Sequence, residues 1–153
     1  MPAQTLTVDI DASPERVMEV ITDFRAYPDF LPEMEAVQLL RESEDEWEVR
    51  FAVRVIRRLT YTLRLARGGP LKLEWSLIEG AFKANDGSWT LEELDEGART
   101  RATYGIDLQV GMFVPGNIVR SLTERSLPET LARFKAEAER RAAVAMAGGV
   151  GEA

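Results

Sequence analysis

The chain contains neither cysteine nor histidine, and those two absences limit the chemistry it can perform. Without cysteine there is no disulfide, thiolate nucleophile or thiolate metal site. Without histidine the commonest general base, the Ser-His and Cys-His pairs, and the usual zinc or iron ligands are gone. Carboxylates, lysine, tyrosine and bound water remain. Asp9 and Asp11 share a strand face but stand near its end, where acids are solvated. Glu44, Asp45, Glu46, Asp95 and Glu96 fall in turns, and Glu92 and Glu93 are strand neighbours whose side chains leave on opposite faces. An inward-facing Glu93, beside Trp89 and Leu91, is the best candidate catalytic acid, with Tyr104 as the other catalytic candidate. Gly68-Gly69-Pro70 reads as a hairpin turn and the terminal glycines precede no helix, so no phosphate loop is expected. Neither a metal nor any other cofactor is expected.

Polar handles on large apolar side chains are the other chemical resource. Tyr61, Trp75, Trp89 and Tyr104 each join a broad apolar body to one hydrogen-bonding group, which suits orienting a carbonyl or hydroxyl of a bound molecule. At 153 residues, 45% hydrophobic and 29% charged, the chain is sized for one domain with a substantial core, expected over 1–145 with a flexible tail at 146–153. No apolar run approaches the roughly 20 residues of a membrane span. The segment Met1-Pro2-Ala3-Gln4 has neither the basic end nor the apolar stretch of a secretory signal, so a cytoplasmic location is expected.

The net charge of −7 is unevenly spread: residues 1–50 hold 13 acids and 4 bases, against 8 and 9 in residues 51–110. That distribution disfavours nucleic acid as a partner, since phosphate-tracking proteins present a dominant basic face. The cluster Arg54, Arg57, Arg58, Arg64 and Arg67 is the one local basic patch the strands could assemble, or else simply a solvated strand face.

The elements that position these residues follow from periodicity. Leu6, Val8 and Ile10 alternate with Thr5, Thr7 and Asp9, the two-residue period of a half-buried strand. Ser13-Pro14-Glu15 combines a capping hydroxyl, a first-turn proline and an acid, and Val17, Met18, Ile21 and Phe24 recur at helical spacing, predicting a helix over 14–23. Beyond Pro32 the chain reads as strands as far as Val110, with one oily face in each: Val49, Phe51, Val53 and Val55; Leu59, Tyr61, Leu63 and Leu65; Leu71, Leu73, Trp75 and Leu77; Trp89 and Leu91; Ala102, Tyr104, Ile106, Leu108 and Val110. Their short spacing favours hairpin-connected antiparallel pairing. The stretch Asn85-Asp86-Gly87-Ser88 fits either a tight turn or a bulge inside one strand.

A helical region follows from Pro115 to about Arg141. Ile118, Val119 and Leu122 cluster on one side of its wheel and Leu127, Leu131, Phe134 and Ala138 on another, with Pro128 between them in sequence. A kink or break at 126–128 is therefore expected.

In this order, strand, helix, helical turn, six strands and long C-terminal helix, the chain resembles the START-like helix-grip superfamily, also called birch-pollen-allergen-like or SRPBCC. Tyr27-Pro28-Asp29-Phe30-Leu31-Pro32, Glu79-Gly80-Ala81-Phe82-Lys83 with Trp89 beyond, and Thr130-Leu131-Ala132-Arg133-Phe134-Lys135 resemble the coenzyme Q-binding and polyketide cyclase/dehydrase branch, over about residues 3–141. The resemblance implies an α+β fold, a seven-stranded antiparallel sheet wrapped around the last helix over an apolar cavity, with quinones or other lipids as ligands. It favours the bulge over the turn at 85–88. The chain departs from the pattern at Ala81, where relatives often carry proline, near Asn85, where they often carry an apolar residue, and at Glu33, where many are aromatic.

The cavity wall expected from these faces comprises Phe30, Val53, Val55, Tyr61, Leu63, Trp75, Leu77, Phe82, Trp89, Tyr104, Ile106, Leu108, Ile118 and Leu122. Its expected role is to bind a hydrophobic small molecule, such as a lipid, isoprenoid quinone or polyketide-like compound, as carrier, chaperone or sensor, with transient membrane contact possible. The alternatives are a small cyclase/dehydrase-type enzyme working without metal or histidine, and a protein resembling the ribosome-association toxins.

Overall fold

The alternation of Leu6, Val8 and Ile10 produces β1 (Gln4–Ile10), which pairs antiparallel with the last strand of the sheet. The computed structural model describes residues 4–55, 57–110, 115–121, 124 and 126–152, and at 55, 119 and 146–152 the backbone alone. Helix α1 (Pro14–Thr22) starts where expected, with the Ser13 hydroxyl accepting a hydrogen bond from the Arg16 N–H at 3.2 Å and Pro14 in the first turn. A 3₁₀ turn at Phe24–Ala26 and the single-turn α2 (Tyr27–Phe30) carry the chain through the Tyr-Pro segment.

Six strands follow, β2 (Met34–Glu42), β3 (Glu46–Val55), β4 (Arg57–Arg67), β5 (Lys72–Gly80), β6 (Phe82–Leu94) and β7 (Arg99–Val110), and then α3 (Gly116–Ser121) and α4 (Leu127–Glu152). All seven strands join one antiparallel sheet in the order β1-β7-β6-β5-β4-β3-β2. Each hairpin lies beside the next, and β1 closes onto β7. This is the expected α+β helix-grip architecture: β1, two short helices, six strands and a long C-terminal helix.

Three details refine the sequence expectations. The residues Asn85 to Ser88 lie within the continuous strand β6 rather than in a turn, but the register slips against β7 between Phe82 and Ala84, ahead of that stretch. The expected discontinuity at 126–128 coincides with the start of α4 at Leu127, with Pro128 in its first turn, where a missing N–H costs no hydrogen bond. Ile118 and Val119 thus lie in α3 and Leu127, Leu131, Phe134 and Ala138 in α4, while Leu122 lies outside the described residues. Finally, α4 continues past Arg141 to Glu152; Ala142, Ala143, Ala145 and Ala147 favour the helix enough to carry it on into Gly148 and Gly149.

The core sits between one sheet face and the helices. Val17, Val20 and Ile21 of α1, Ile10 of β1, Ala102 of β7, and Phe134 and Ala138 of α4 belong to one buried cluster. No described helix is long and apolar enough to cross a membrane.

Candidate ligand cavity

Beside this packed cluster the same sheet face leaves a cavity of about 150 Å³, partly open to solvent and predominantly apolar. Its wall draws on nearly every element around it. Strand β3 supplies Phe51 and Val53, β4 supplies Tyr61, Leu63 and Leu65, β5 supplies Leu73 and Trp75, β6 supplies Phe82, Asn85 and Trp89, and β7 supplies Tyr104, Ile106 and Leu108. The roof is Leu127, Thr130 and Phe134 of α4 with Ser126 before it, and the side is Tyr27, Leu31, Glu33 and Met34. A two-residue period delivers alternate side chains of each strand to one face, so five neighbouring strands suffice to build the floor.

Of the residues expected in the wall, Val53, Tyr61, Leu63, Trp75, Phe82, Trp89, Tyr104, Ile106 and Leu108 are brought together there. Phe30 is half-buried outside it, its ring edge-on to Tyr27 at 5.8 Å and Phe134 at 5.3 Å. Leu77 is also half-buried outside it, and Ile118 is buried in the core away from it. The side chain of Val55, and Leu122, lie outside the described residues. Glu93 is exposed and stands away from the cavity. It shares the strand phase of Trp89 and Leu91, but β6 ends at the next residue and the Asp95–Gly97 turn begins there, so the helical cover does not reach it.

Sequence reasoning did not place Glu33, Asn85 and Ser126 in the wall. Two of them, Glu33 and Asn85, had stood out as departures from the family pattern, and that was the available signal. Each has one polar atom engaged with a neighbour: the Ser126 hydroxyl donates to Glu33 Oε1 at 3.0 Å, and Trp75 Nε1–H donates to Asn85 Oδ1 at 3.1 Å. Phe51, Leu65 and Leu73 were legible in principle, being in phase with residues already assigned to the wall.

An aromatic series ties the wall together by edge-to-face and tilted contacts. Phe134 meets Tyr27 at 5.2 Å and Trp89 at 5.2 Å, Trp89 meets Tyr104 at 4.9 Å, and Tyr104 meets Trp75 at 5.3 Å. The place of Trp75 depends on Gly87, since a Cβ there would come within 2.5 Å of the indole and 2.3 Å of the Gly105 carbonyl oxygen.

The phenols are the titratable groups whose behaviour the cavity alters. Burial pushes the hydroxyls of Tyr27, Tyr61 and Tyr104 well above the usual tyrosine range, so each keeps its proton and acts as a donor. The Tyr27 hydroxyl donates to the Ile21 carbonyl. Neither Tyr61 nor Tyr104 hydrogen-bonds through its hydroxyl to a described residue. Among the described residues no group of three acids could hold a metal ion.

On the opposite, wet face the arginines are interleaved with acids. Arg54 Nε lies 2.9 Å from Glu35, Arg58 3.7 Å from the same carboxylate, and Arg64 3.0 Å from Glu46. The Arg54 guanidinium holds the Glu35 carboxyl below its ordinary range. Near the N-terminus Asp9 and Asp11 face Arg101 and Arg99 across the β1–β7 pair, at 2.9 and 2.6 Å. These are exposed pairs, which position side chains more than they stabilise the fold.

The geometry has clear counterparts among solved structures. The chain is similar to the Zhui aromatase/cyclase from Streptomyces sp. R1128, with 24% identity, a TM-score of 0.81 and coverage of 92% of this chain and 94% of that one. It is also similar to TTHA0849 from Thermus thermophilus, at 18% identity, TM-score 0.77 and coverage of 94% and 99%. A third likeness is a START superfamily protein from Mycobacterium smegmatis, at 23% identity, TM-score 0.72 and coverage of 92% and 96%. At such identities these likenesses establish the fold alone. No curated protein sequence matches the chain. The model of the family described as polyketide cyclase / dehydrase and lipid transport, however, matches residues 10–135, which contain the whole cavity wall, and the chain belongs to that family.

Proposed function

We propose that the protein binds a hydrophobic small molecule in the cavity between the sheet and α4, as a carrier, chaperone or sensor. The observation that carries this reading is an unfilled, mostly apolar hollow beside a buried hydrophobic core. Protein interiors ordinarily leave few voids larger than a water molecule, and removing apolar surface of a ligand from water contributes roughly 25 cal/mol per Å². At about 150 Å³ the hollow has the size of a cavity known to accept benzene. It therefore takes the ring of a ligand, while a long chain such as an isoprenoid tail must extend outward or displace wall side chains. The family description, with its lipid transport, supports the same reading. Native mass spectrometry of the purified protein tests it: a co-purifying lipid- or quinone-sized mass is expected, with thermal stabilisation on adding isoprenoid quinones. Neither adduct nor stabilisation by any apolar compound rejects it.

One observation favours a second reading, a cyclase- or dehydrase-type enzyme. Tyr61 and Tyr104 line an apolar cavity, and their hydroxyls have no partner among the described residues; a donor so placed could polarise the carbonyl of a folded chain. Turnover lost in Tyr104→Phe with binding retained would establish it. The third reading, action on the ribosome, has less support, because Arg54, Arg58 and Arg64 stand beside acids.

A further inference from the structure

Asn85 is 5% exposed and lines the cavity. Its inward direction is built by the slip between Phe82 and Ala84. Counting in twos from the buried Phe82 would turn Asn85 toward solvent, whereas after the slip Asn85, Gly87, Trp89 and Leu91 share the inner phase. An amide in an apolar wall costs free energy unless its donors and acceptor are met, and here only the acceptor is. Trp75 Nε1–H donates to Asn85 Oδ1 at 3.1 Å. Because an indole nitrogen only donates, this bond also fixes which way round the amide sits, with oxygen toward Trp75 and the NH₂ group away from it.

That NH₂ group has no hydrogen-bond partner among the described residues. Packing does not seal it off either: the one buried, unpartnered side-chain polar atom among those residues is Asp107 Oδ1. The space left to it is the cavity. The Tyr104 ring lies beside Trp75 at 5.3 Å, and its hydroxyl, kept protonated by burial, is a second donor in the same wall.

We propose that Asn85 selects the ligand: its amide N–H, oriented by Trp75, donates to a carbonyl oxygen carried on the ring portion of the bound molecule. The proposal rests on the reading of the cavity as a ligand site and narrows it to neutral ring compounds bearing a carbonyl, in preference to pure hydrocarbons of the same shape. Trp75 is a positioning residue, acting through the amide. Gly87 acts one step further out, since any side chain there meets the indole.

A matched pair of probes provides the test: acetophenone and α-methylstyrene, which differ in a C=O replaced by C=CH₂. In titrations followed by ¹H–¹⁵N NMR, the wild-type protein is expected to bind acetophenone roughly three- to tenfold more tightly, the usual worth of one net hydrogen bond. The Asn85 side-chain amide signal should move with acetophenone and stay nearly still with α-methylstyrene. Asn85→Leu should abolish the preference while retaining α-methylstyrene binding. Because that variant leaves the indole N–H unpartnered, the double variant Asn85→Leu with Trp75→Phe removes both halves of the bond and provides the same comparison in an apolar wall. Equal affinity for the two probes in wild type, or a preference that survives in the variants, overturns the role of Asn85 and leaves the cavity reading standing. Binding of neither probe overturns the cavity reading, and this proposal with it.

Discussion

One face of a single sheet is treated in two ways. Toward α1 it is closed to solvent: Ile10, Val17, Val20, Ile21 and Ala102 are each at most 1% exposed, and the Phe24 ring meets Trp47 edge-on at 5.4 Å. Toward the start of α4 the same face is lined by Tyr61, Trp75, Tyr104 and Asn85 around a hollow. Tyr27, Phe134 and Trp89 stand between the two, with Tyr27 also touching Phe24 at 5.6 Å. The difference lies in side-chain chemistry. Aliphatic groups, with Phe24 and Trp47 beside them, close the first region, where their burial is the main source of stability. Large rings with polar tips border the second, where neighbouring rings settle edge-on or tilted and the Tyr61 and Tyr104 hydroxyls and the Asn85 NH₂ group lack partners among the described residues. Stability and ligand capacity are thus separated along one sheet.

Truncation should expose that separation most strongly. Ile21→Ala, at a site with no exposure, is expected to cost about 2–5 kcal/mol, whereas Leu63→Ala, which already borders empty space, should fall at the low end of that range. Equilibrium urea denaturation measures both, and equal losses would erase the distinction. Enlargement is the complementary test. Val20→Phe should destabilise by about 1–3 kcal/mol through overpacking. Leu63→Phe should be close to neutral and should weaken binding of any ring-sized probe, because it occupies the hollow.

The smallest expected effect concerns the link that holds α4 to the packed side. Glu137 bonds Arg140 and Arg141, and Arg141 Nη1 reaches Asp23, just past the end of α1, at 3.0 Å. The Arg140 hydrogen bond, ahead of Arg141's, lowers the Glu137 carboxyl from 4.5 to about 2 against the opposing effect of burial. A carboxylate whose folded value is depressed stabilises fully above its unfolded value, and the contribution is lost as pH falls through the folded one. Melting temperature should therefore decline between pH 4.5 and about 2, and Glu137→Gln should flatten that decline while leaving probe binding at neutral pH unchanged.

Most of this organisation was readable in the residues. Strand alternation assigned Val53, Leu63, Trp75, Tyr104 and Leu108 to one face, because a half-buried strand writes its burial directly as a period of two. Two things were not written locally. The slip at Phe82–Ala84 sets two phases against each other within β6, so counting from Phe82 and counting from Trp89 give opposite directions for Asn85. How far the helical cover extends over a face is a property of distant packing: Glu93 keeps the inner phase yet is exposed at the strand end. Leu77 and Phe30 were drawn into the expected wall for the same reason, since an oily phase does not say which part of the face is hollow.

The three tryptophans allow the central claim to be measured in one titration. Trp75 and Trp89 line the hollow, while Trp47 lies on the packed side. Toluene added to ¹⁵N-labelled protein should shift the indole N–H signals of Trp75 and Trp89 in a saturable manner and leave that of Trp47 in place. Three unmoved signals, or a shift as large at Trp47 as at the other two, would contradict the division of this sheet face into a packed region and a ligand cavity.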